Sequence, residues 1–262
     1  MLIDSHCHLD FPELASDENG VLARARTAGV AGMLTIGTRL DRFAGVRAIA
    51  ERHEHIWCSV GVHPHEAKEE GQRTPDRLVE ATRHPKVVGI GETGLDFYYE
   101  HSPRAEQAES FRAHIAAARQ TGLPLIVHTR DADGETGDIL EEEFAKGAYG
   151  GLIHCFSSGR RVAERALALG FYVSISGIVT FKAANELRDI VRDIPLDRLL
   201  VETDAPYLAP VPKRGKTNEP AFVAHTAAKV AELKGVSPAE LAVATTDNFF
   251  RLFAKAERVR CG

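Results

Sequence analysis

Near its start the chain reads Ile3-Asp4-Ser5-His6-Cys7-His8-Leu9-Asp10, a stretch that predicts a β-strand bearing two histidines. Residues i and i+2 of a strand point to the same face of a sheet. The imidazoles of His6 and His8 can therefore converge on one metal ion. A single His-x-His pair is a weak signal, but further predicted strands of this chain also end in His, Asp or Glu.

The length and charge of the chain limit its class. Its 262 residues match the roughly 250 residues of a single (β/α)8 barrel. No linker or low-complexity tract divides the chain, so we expect residues 1–262 to form one domain. The formal charge of -5 excludes the general basic field that drives non-specific duplex binding. A nucleic acid would have to be held by local charges.

The cysteines and the apolar runs indicate a cellular location. The four cysteines, Cys7, Cys58, Cys155 and Cys261, form no CxxC pair and are interpreted as reduced thiols rather than a disulfide framework. No basic-then-apolar leader opens the sequence, and no apolar run approaches membrane-spanning length. We expect a cytoplasmic protein without membrane contact, and a monomer.

Short apolar runs alternate with longer amphipathic runs along the chain. The predicted strands are residues 2–8, 32–37, 56–62, 87–92, 125–128, 152–154, 172–176 and 199–202. Predicted helices include residues 40–53, 103–120, 161–169 and 183–191; Ser102 is the expected cap of the second of these, and Gly122 follows its end. This alternation predicts an α/β fold, a TIM-type (β/α)8 barrel, with a doubly wound open sheet as the alternative.

Active-site residues of such barrels lie at the carboxyl ends of the strands and in the loops that follow them. Histidines and carboxylates occupy those positions here, namely His6, His8, His63, His65, Glu92, His128, His154 and Asp204. Any one of them is better explained as a histidine at the edge of the core, a helix cap or an ion-pair partner. Together at one barrel mouth they would be desolvated and would repel one another without a cation to share.

The types of these side chains indicate which ions they would bind. Imidazole and carboxylate without thiolate suit Zn, Mn, Co or Ni better than an all-oxygen Ca or Mg site. The candidate ligands outnumber those of one tetrahedral ion, and a carboxylate can bridge two ions. We therefore expect two divalent ions roughly 3.5 to 4 Å apart. Such a pair stabilises an oxyanion and lowers the pKa of a bound water, so the expected reaction is hydrolysis.

A series of motifs follows in order along the chain: His6-Cys7-His8, Gly61-Val62-His63-Pro64-His65, Gly91-Glu92-Thr93-Gly94-Leu95-Asp96, His128-Thr129-Arg130, His154-Cys155-Phe156-Ser157, Glu202-Thr203-Asp204-Ala205-Pro206 and Asn218-Glu219-Pro220. Together these motifs resemble the TatD family of metal-dependent deoxyribonucleases, within the amidohydrolase superfamily. The resemblance spans essentially the whole chain. It implies a TIM-type barrel with a divalent metal centre.

The resemblance also implies a ligand set, which is His6, His8, Glu92, His128, His154 and Asp204. Asp204 and the two histidines of the first strand would hold one ion, the two later histidines would hold the other, and Glu92 would bridge them. Many superfamily relatives bridge with a carbamylated lysine, so Glu92 argues against a phosphotriesterase-like or dihydroorotase-like enzyme. Nitrogen ligands favour Zn or Mn, whereas the resemblance implies activity with Mg. Mg, Mn, Zn and Co all remain candidates.

The expected activity is that of a 3'-5' exonuclease or general deoxyribonuclease on DNA ends or single strands, with RNA as a second polymer. In the expected mechanism a metal-activated water attacks the phosphorus of a terminal phosphodiester. Asp204 and Glu92 are the predicted catalytic residues, and Asp204 accepts the proton of that water.

Five residues are predicted to contact the substrate: His63, His65, Arg130, Asn218 and Glu219. Arg130 would hold a phosphate bidentately, or else form a surface ion pair with Asp131 or Asp133. His63 would contact a phosphate or leaving group, or else cap a turn at Pro64, with His65 merely exposed. The basic loop of residues 210–220 would either grip a nucleic-acid backbone or simply connect the last strand to the last helices.

Two other classes of function stay open. The same metal chemistry could hydrolyse a small-molecule amide or ester, or an aminoacyl linkage on tRNA. A non-catalytic binding protein is disfavoured, because every implied metal-ligand position is filled. Thr217 and Ser158 depart from residues that family members often carry there. Both lie near predicted substrate loops, so they put the substrate in doubt more than the metal site.

Overall fold

The computed structural model describes residues 1–69 and 75–258, and in it eight parallel strands lie side by side in chain order. The strands are β1 (Leu2–Cys7), β2 (Val30–Thr35), β3 (Ile56–Val60), β4 (Val87–Asp96), β5 (Leu125–Arg130), β6 (Gly151–Ile153), β7 (Tyr172–Ile175) and β8 (Leu199–Val201). A doubly wound sheet would reverse its strand order partway. The observed order therefore confirms the predicted (β/α)8 barrel.

The barrel closes where β8 meets β1. Cys7 forms a parallel bridge with Ala205, just beyond β8. The amide of Asp204 donates to the carbonyl of His6 at 2.9 Å. Deeper in the same seam, the buried carboxylate of Asp4 accepts hydrogen bonds from the amide of Thr203 at 2.9 Å and from its hydroxyl at 2.6 Å. The seam thus places the ends of the first and last strands beside each other.

Helices follow the strands around the outside of the barrel. They are α1 (Pro12–Ala15), α2 (Glu18–Thr27), α3 (Phe43–Arg52), α4 (Pro75–Ala81), α5 (Arg104–Thr121), α6 (Asp133–Ala145), α7 (Arg160–Ala168), α8 (Asn185–Asp193), α9 (Val223–Lys234) and α10 (Pro238–Leu252). Gly122 ends α5 in the left-handed conformation, with φ 71°, as predicted. The cap prediction for Ser102 is wrong. Its hydroxyl instead accepts from the Lys68 amide and donates to the His65 carbonyl, which ties the loop after β3 to the start of α5.

Strand β4 is longer than predicted, and its extension shapes the site. The pattern predicts an end at Glu92, but the strand continues to Asp96 and pairs its last residues with the end of β5. Gly94 permits this pairing, because it has φ 135° and a Cβ there would lie 2.0 Å from the His128 carbonyl oxygen. The extension carries Asp96 to the barrel mouth.

Apolar packing closes the amino-terminal end of the barrel. One apolar cluster takes side chains from all eight strands, Ile3 and Trp57 among them, which places it inside the barrel. Phe249 and Phe253 of α10 complete this cluster, with the Phe249 ring 5.5 Å from that of Trp57. A second cluster packs the outer faces of the strands against the helices. The polar side chains converge at the opposite, carboxyl end of the barrel.

The described cysteines form no disulfide bonds. Cys7, Cys58 and Cys155 carry free thiols, and Cys261 lies outside the described residues. Within the described ranges, no helix combines the length and apolar character needed to cross a membrane.

Candidate metal centre

A cavity of about 650 Å³ opens at the carboxyl ends of the strands. Most of the predicted site residues line it: His8, His63, His65, Glu92, His128, Arg130, His154 and Asp204. His6 lies fully buried beneath it. Asn218 and Glu219 are not among the residues that line it. The barrel thus brings together side chains that are up to about two hundred residues apart in the sequence.

Glu92 lies at the centre of this group, and its side chain is only 3% exposed. Five imidazoles surround its carboxylate. The ring nitrogens lie at 2.7 Å for His154, 3.0 Å for His128, 3.4 Å for His6 and His63, and 4.0 Å for His8. The two carboxylate oxygens divide these rings into two sets, since Oε2 faces His6 and His8 while Oε1 faces the other three. His6 and His8 thus lie on one side of the carboxylate, and His63, His128 and His154 lie on the other.

Asp204 completes the set on the Oε2 side. Its carboxylate oxygen lies 3.5 Å from Nε2 of His8 and 3.6 Å from Nε2 of His6. The residue has φ 56°, a left-handed conformation that Asp tolerates better than most side chains. Its side chain is 14% exposed, compared with 3% for Glu92. Asp204 is therefore the carboxylate of the pair that is more open to the cavity.

The buried histidines fit a divalent ion. Both ring nitrogens of His6 and Nδ1 of His8 are buried and form no hydrogen bond. Unpartnered buried polar atoms are costly, and an ion would use the free lone pairs. Among the residues that the structure describes, three groups of side chains hold ligand atoms within 4.8 Å of one another: His6, His8 and Glu92; His63, Glu92 and His128; and His6, His154 and Glu202. The donor set is nitrogen and oxygen, which suits a transition-metal ion or Zn²⁺.

Electrostatics keep the carboxylates of the site ionised. Burial opposes ionisation of Glu92, but His154 and His63 hold its pKa well below its usual range. Burial likewise opposes ionisation of Asp204, yet the hydrogen bond from His8 and the charge of His6 lower its pKa. Burial raises the pKa of the Cys155 thiol well above its usual range, which favours its protonated form beside the cavity.

Asp96 is a site residue that the sequence prediction missed. It is buried, and its Oδ2 lies 2.9 Å from Nε2 of His65 and 3.2 Å from Nε2 of His128. A neutral His128 that donates from Nε2 to Asp96 offers its Nδ1 lone pair toward Glu92, which is the usual way a carboxylate orients a metal-binding histidine. Burial opposes ionisation of Asp96, but the hydrogen bonds from His128 and His65 hold its pKa well below its usual range.

Glu202 plays the same part for His154, and it too was missed. Its Oε1 lies 3.3 Å from Nδ1 of His154 and accepts a hydrogen bond from the Cys155 amide at 2.7 Å. Nε2 of His154 is thereby directed at Glu92. The sequence signal for both missed residues is their place in the quoted motifs, since Asp96 ends the motif that begins at Gly91 and Glu202 begins the motif that contains Asp204.

His63 differs from the other histidines around Glu92. Its Nδ1 accepts the His65 amide at 3.1 Å and caps the short 3-10 turn Pro64–Glu66. Burial lowers the pKa of His63 to about 4, so the ring is neutral at pH 7. A neutral ring that accepts at Nδ1 carries its proton on Nε2. His63 therefore presents a hydrogen-bond donor toward Glu92 and the cavity, although its position would allow it to join a metal cluster.

Arg130 and Asn218, which are also predicted to contact the substrate, lie in environments that differ from each other. Arg130 lies over Tyr98 and Tyr99 rather than pairing with Asp131 or Asp133, and within the described ranges it forms no ion pair with a carboxylate. The Asn218 amide is buried and donates to the carbonyls of Thr203 and Tyr207.

The charged residues of the loop after β8 also have partners. Glu219 forms an ion pair with Arg24 at 2.8 Å. Lys213 and Arg214 pack over Phe222 and Phe181. These contacts shape the loop after β8, and Asn218 with Glu219 holds that loop in place beside the cavity.

We expect Asp96→Asn to lower metal affinity or kcat/KM by about 10- to 100-fold, the usual effect of losing a carboxylate that orients a ligand histidine. Asparagine can still accept from the loop amides but places an NH₂ group where His128 needs an acceptor. Titration with Mn²⁺ and steady-state hydrolysis measure the effect. Asp193→Asn, which breaks an exposed ion pair with Arg160 on the outside of the barrel, is the control. Equal metal affinity and equal kcat/KM in the two variants would contradict an orienting role for Asp96.

Imidazoles and carboxylates gathered at the carboxyl end of a (β/α)8 barrel define the class of metal-dependent hydrolase barrels. Comparison with known proteins identifies the family. Residues 3–254 match the family model described as TatD related DNase. The chain is 47% identical over 255 residues to the metal-dependent hydrolase YcfH of Escherichia coli (strain K12), covering 96% of this chain and 95% of that protein. The chain therefore belongs to the TatD family of metal-dependent hydrolases, as its motifs indicated.

Two further relatives extend the comparison. The chain is 37% identical over 260 residues to a Citrobacter koseri protein named 3'-5' ssDNA/RNA exonuclease TatD, covering 97% of this chain and all of that one. The crystal structure of YJJV, a TatD homologue from Escherichia coli K12, superposes with a TM-score of 0.90 at 32% identity and covers 97% of this chain and 98% of that one. Its barrel is thus the same fold as the one described above.

Proposed function

We propose that this protein is a 3'-5' exonuclease that hydrolyses phosphodiester bonds at the ends of single-stranded DNA, with single-stranded RNA as a second substrate. The observation that carries the proposal is a carboxylate, Glu92, with two sets of imidazoles on its two oxygens, beside a cavity whose rim holds an arginine without a carboxylate partner among the described residues. The name of the Citrobacter koseri relative describes the same activity for that protein.

The ligand assignment is part of this proposal. Two divalent ions, among Mg, Mn, Zn and Co, would be held by the six residues His6, His8, Glu92, His128, His154 and Asp204. Glu92 would contact both ions. When bound, such ions supply Lewis-acid activation of water and neutralise charge on a phosphoryl group.

The protein's own side chains account for the remaining steps. Asp204, ionised and open to the cavity, accepts the proton of the attacking water. His63 donates from Nε2 to a phosphoryl oxygen, as the capped turn occupies Nδ1 and places the ring proton on Nε2, which faces both Glu92 and the cavity. Arg130 holds a phosphate of the substrate with its guanidinium donors. His65 positions Asp96, while Asn218 and Glu219 support substrate binding through the loop after β8.

The free thiols of Cys7, Cys58 and Cys155 support a cytoplasmic location, where thiols are kept reduced and nucleic acid is present.

The test uses single-stranded oligonucleotides labelled at either end, with purified protein and Mg²⁺, Mn²⁺, Zn²⁺ or Co²⁺ in separate reactions. We expect the 3'-labelled strand to release a labelled mononucleotide at once and the 5'-labelled strand to give a shortening ladder. A Glu92→Gln preparation controls for contaminating nucleases. Absence of mononucleotides with every ion would overturn the proposal. Hydrolysis of an ester, an amide or aminoacyl-tRNA, each offered in a parallel reaction with the same ions, would then identify a different hydrolase.

A further inference from the structure

The tyrosines of the chain are unevenly distributed over its surface. Of its five tyrosines, Tyr149 and Tyr172 are buried, while Tyr98, Tyr99 and Tyr207 are 57%, 50% and 52% exposed. Tyr98 and Tyr99 follow β4, and Tyr207 follows β8, so all three lie at the carboxyl end of the barrel. Tyr99 and Tyr207 line the cavity. Large exposed rings gathered at one mouth indicate a recognition surface.

The loop that carries Tyr98 and Tyr99 is fixed to the candidate metal centre. Oδ1 of Asp96 accepts hydrogen bonds from the amides of Tyr98 at 3.0 Å and Tyr99 at 2.9 Å. The other oxygen of the same carboxylate contacts His65 and His128. One buried carboxylate therefore sets the position of the backbone that carries both rings relative to the residues around Glu92, so this segment is held in place before any ligand binds.

Arg130 joins these two rings. Its guanidinium carbon lies 4.1 Å from the centroid of Tyr98 and 4.8 Å from that of Tyr99. At the end of β5, Arg130 is paired in register with Asp96 of β4. The cation–π contacts hold the cation in place without occupying its N–H donors as a carboxylate would. The rim thus offers a positive charge and aromatic faces in a single rigid unit.

We propose that Tyr98, Tyr99 and Arg130 form a subsite for an unpaired nucleotide, in which the guanidinium binds the phosphate and a tyrosine ring stacks on the base. This inference rests on the proposed nuclease function and adds to it the groups that select the strand. Stacking accepts any base, because every base has a π-face. A base inside a duplex is already stacked and paired, so the subsite selects single strands with little dependence on sequence.

The first test is the double variant Tyr98→Ala/Tyr99→Ala in the Mn²⁺-loaded enzyme, with a single-stranded oligonucleotide as substrate. Loss of base stacking is expected to raise KM by about 5- to 100-fold and to leave kcat within a few-fold. The matched control, Tyr98→Phe/Tyr99→Phe, keeps both rings and should keep KM within about twofold of wild type. Val243→Ala on α10, also at an exposed apolar side chain, controls for surface truncation far from the mouth.

A second substrate separates stacking from a general loss of packing. In an oligonucleotide whose 3'-terminal residues are abasic tetrahydrofuran units, the phosphates remain but the bases are gone. Wild type should show a raised KM for this strand, and the double alanine variant should show no further increase. Arg130→Gln should raise KM for both strands, since both carry the phosphate that the guanidinium binds.

The outcomes distinguish this inference from the proposed function. If wild type releases mononucleotides but the double alanine variant and the double phenylalanine variant have the same KM as each other, the stacking subsite is overturned. The nuclease proposal then still stands. If wild type releases none, the nuclease proposal itself fails. Should the double variant fold poorly, judged by its Mn²⁺ affinity and circular dichroism, the single variant Tyr98→Ala at the more exposed ring gives the same comparison.

Discussion

Replacement of Glu92 by glutamine is expected to lower hydrolytic activity by about 10³-fold and to abolish tight binding of divalent ions. Glutamine has nearly the same shape but no charge, and its NH₂ group would face one set of the imidazoles that now surround a carboxylate. His154 at 2.7 Å and His128 at 3.0 Å would each lose one of two carboxylate partners. No other described carboxylate lies within ion-pair distance of both His6 and His63.

Ion content and thermal unfolding measure this effect independently of activity. Wild type with Mn²⁺ at 100 times its dissociation constant should gain about 2.7 kcal/mol in the free energy of unfolding for each bound ion, whereas Glu92→Gln should gain little. The matched control is Glu143→Gln on α6, a buried glutamate paired with Arg112 and Lys146 outside the cavity. That variant should lose stability but keep its ions. Normal ion binding and normal activity in Glu92→Gln would contradict a bridging role.

Replacement of Asp204 by asparagine is expected to lower kcat by about 10²- to 10⁴-fold, the range associated with loss of a general base. Asparagine suits the left-handed backbone at this position, so the loop after β8 should keep its shape. Because the native carboxyl has a lowered pKa, it is ionised at neutral pH. Wild-type activity should therefore be present at neutral pH and fall as acidification protonates Asp204.

The matched control for this variant is Asp131→Asn. Asp131 also has a left-handed backbone, with φ 53°, and also follows a strand at the carboxyl end of the barrel, but its side chain is exposed. Full pH–rate profiles with Mn²⁺ and the ion content of each variant complete the measurement. Retained ions with lost activity would assign Asp204 to proton transfer. Loss of both would assign it chiefly to ion binding, and unchanged kcat would contradict both roles.

The convergence of the site histidines could be predicted because barrel geometry brings every strand's carboxyl end to one mouth. His6, His128 and His154 needed only a correct strand assignment, since each stands at or just beyond the end of an apolar run. Glu92 was predictable for the same reason. The division of five imidazoles between the two oxygens of Glu92 could not be predicted, because it depends on side-chain rotations that strand periodicity does not determine.

Asp96 was missed for a physical reason. The apolar pattern of β4 stops at Glu92, and the pairing that extends the strand to Asp96 depends on Gly94 approaching the backbone of His128. Close approach between two distant segments leaves no periodic signal. Asn218, which is predicted from a loop motif to contact the substrate, has an amide that holds the backbone of its own loop, a contact that the motif alone does not reveal.

The seam between β1 and β8 makes the cavity depend on the whole chain. Asp4 and Thr203, which hydrogen bond across it, are 199 residues apart, and the two histidines of β1 meet Asp204 only when the last strand has docked. Closing so large a loop is entropically unfavourable until the intervening strands are in place. A nascent chain that has not yet reached β8 therefore has no assembled site. Hydrolytic competence arrives with the final strand, so the growing polypeptide stays inert until that strand has been made and has docked.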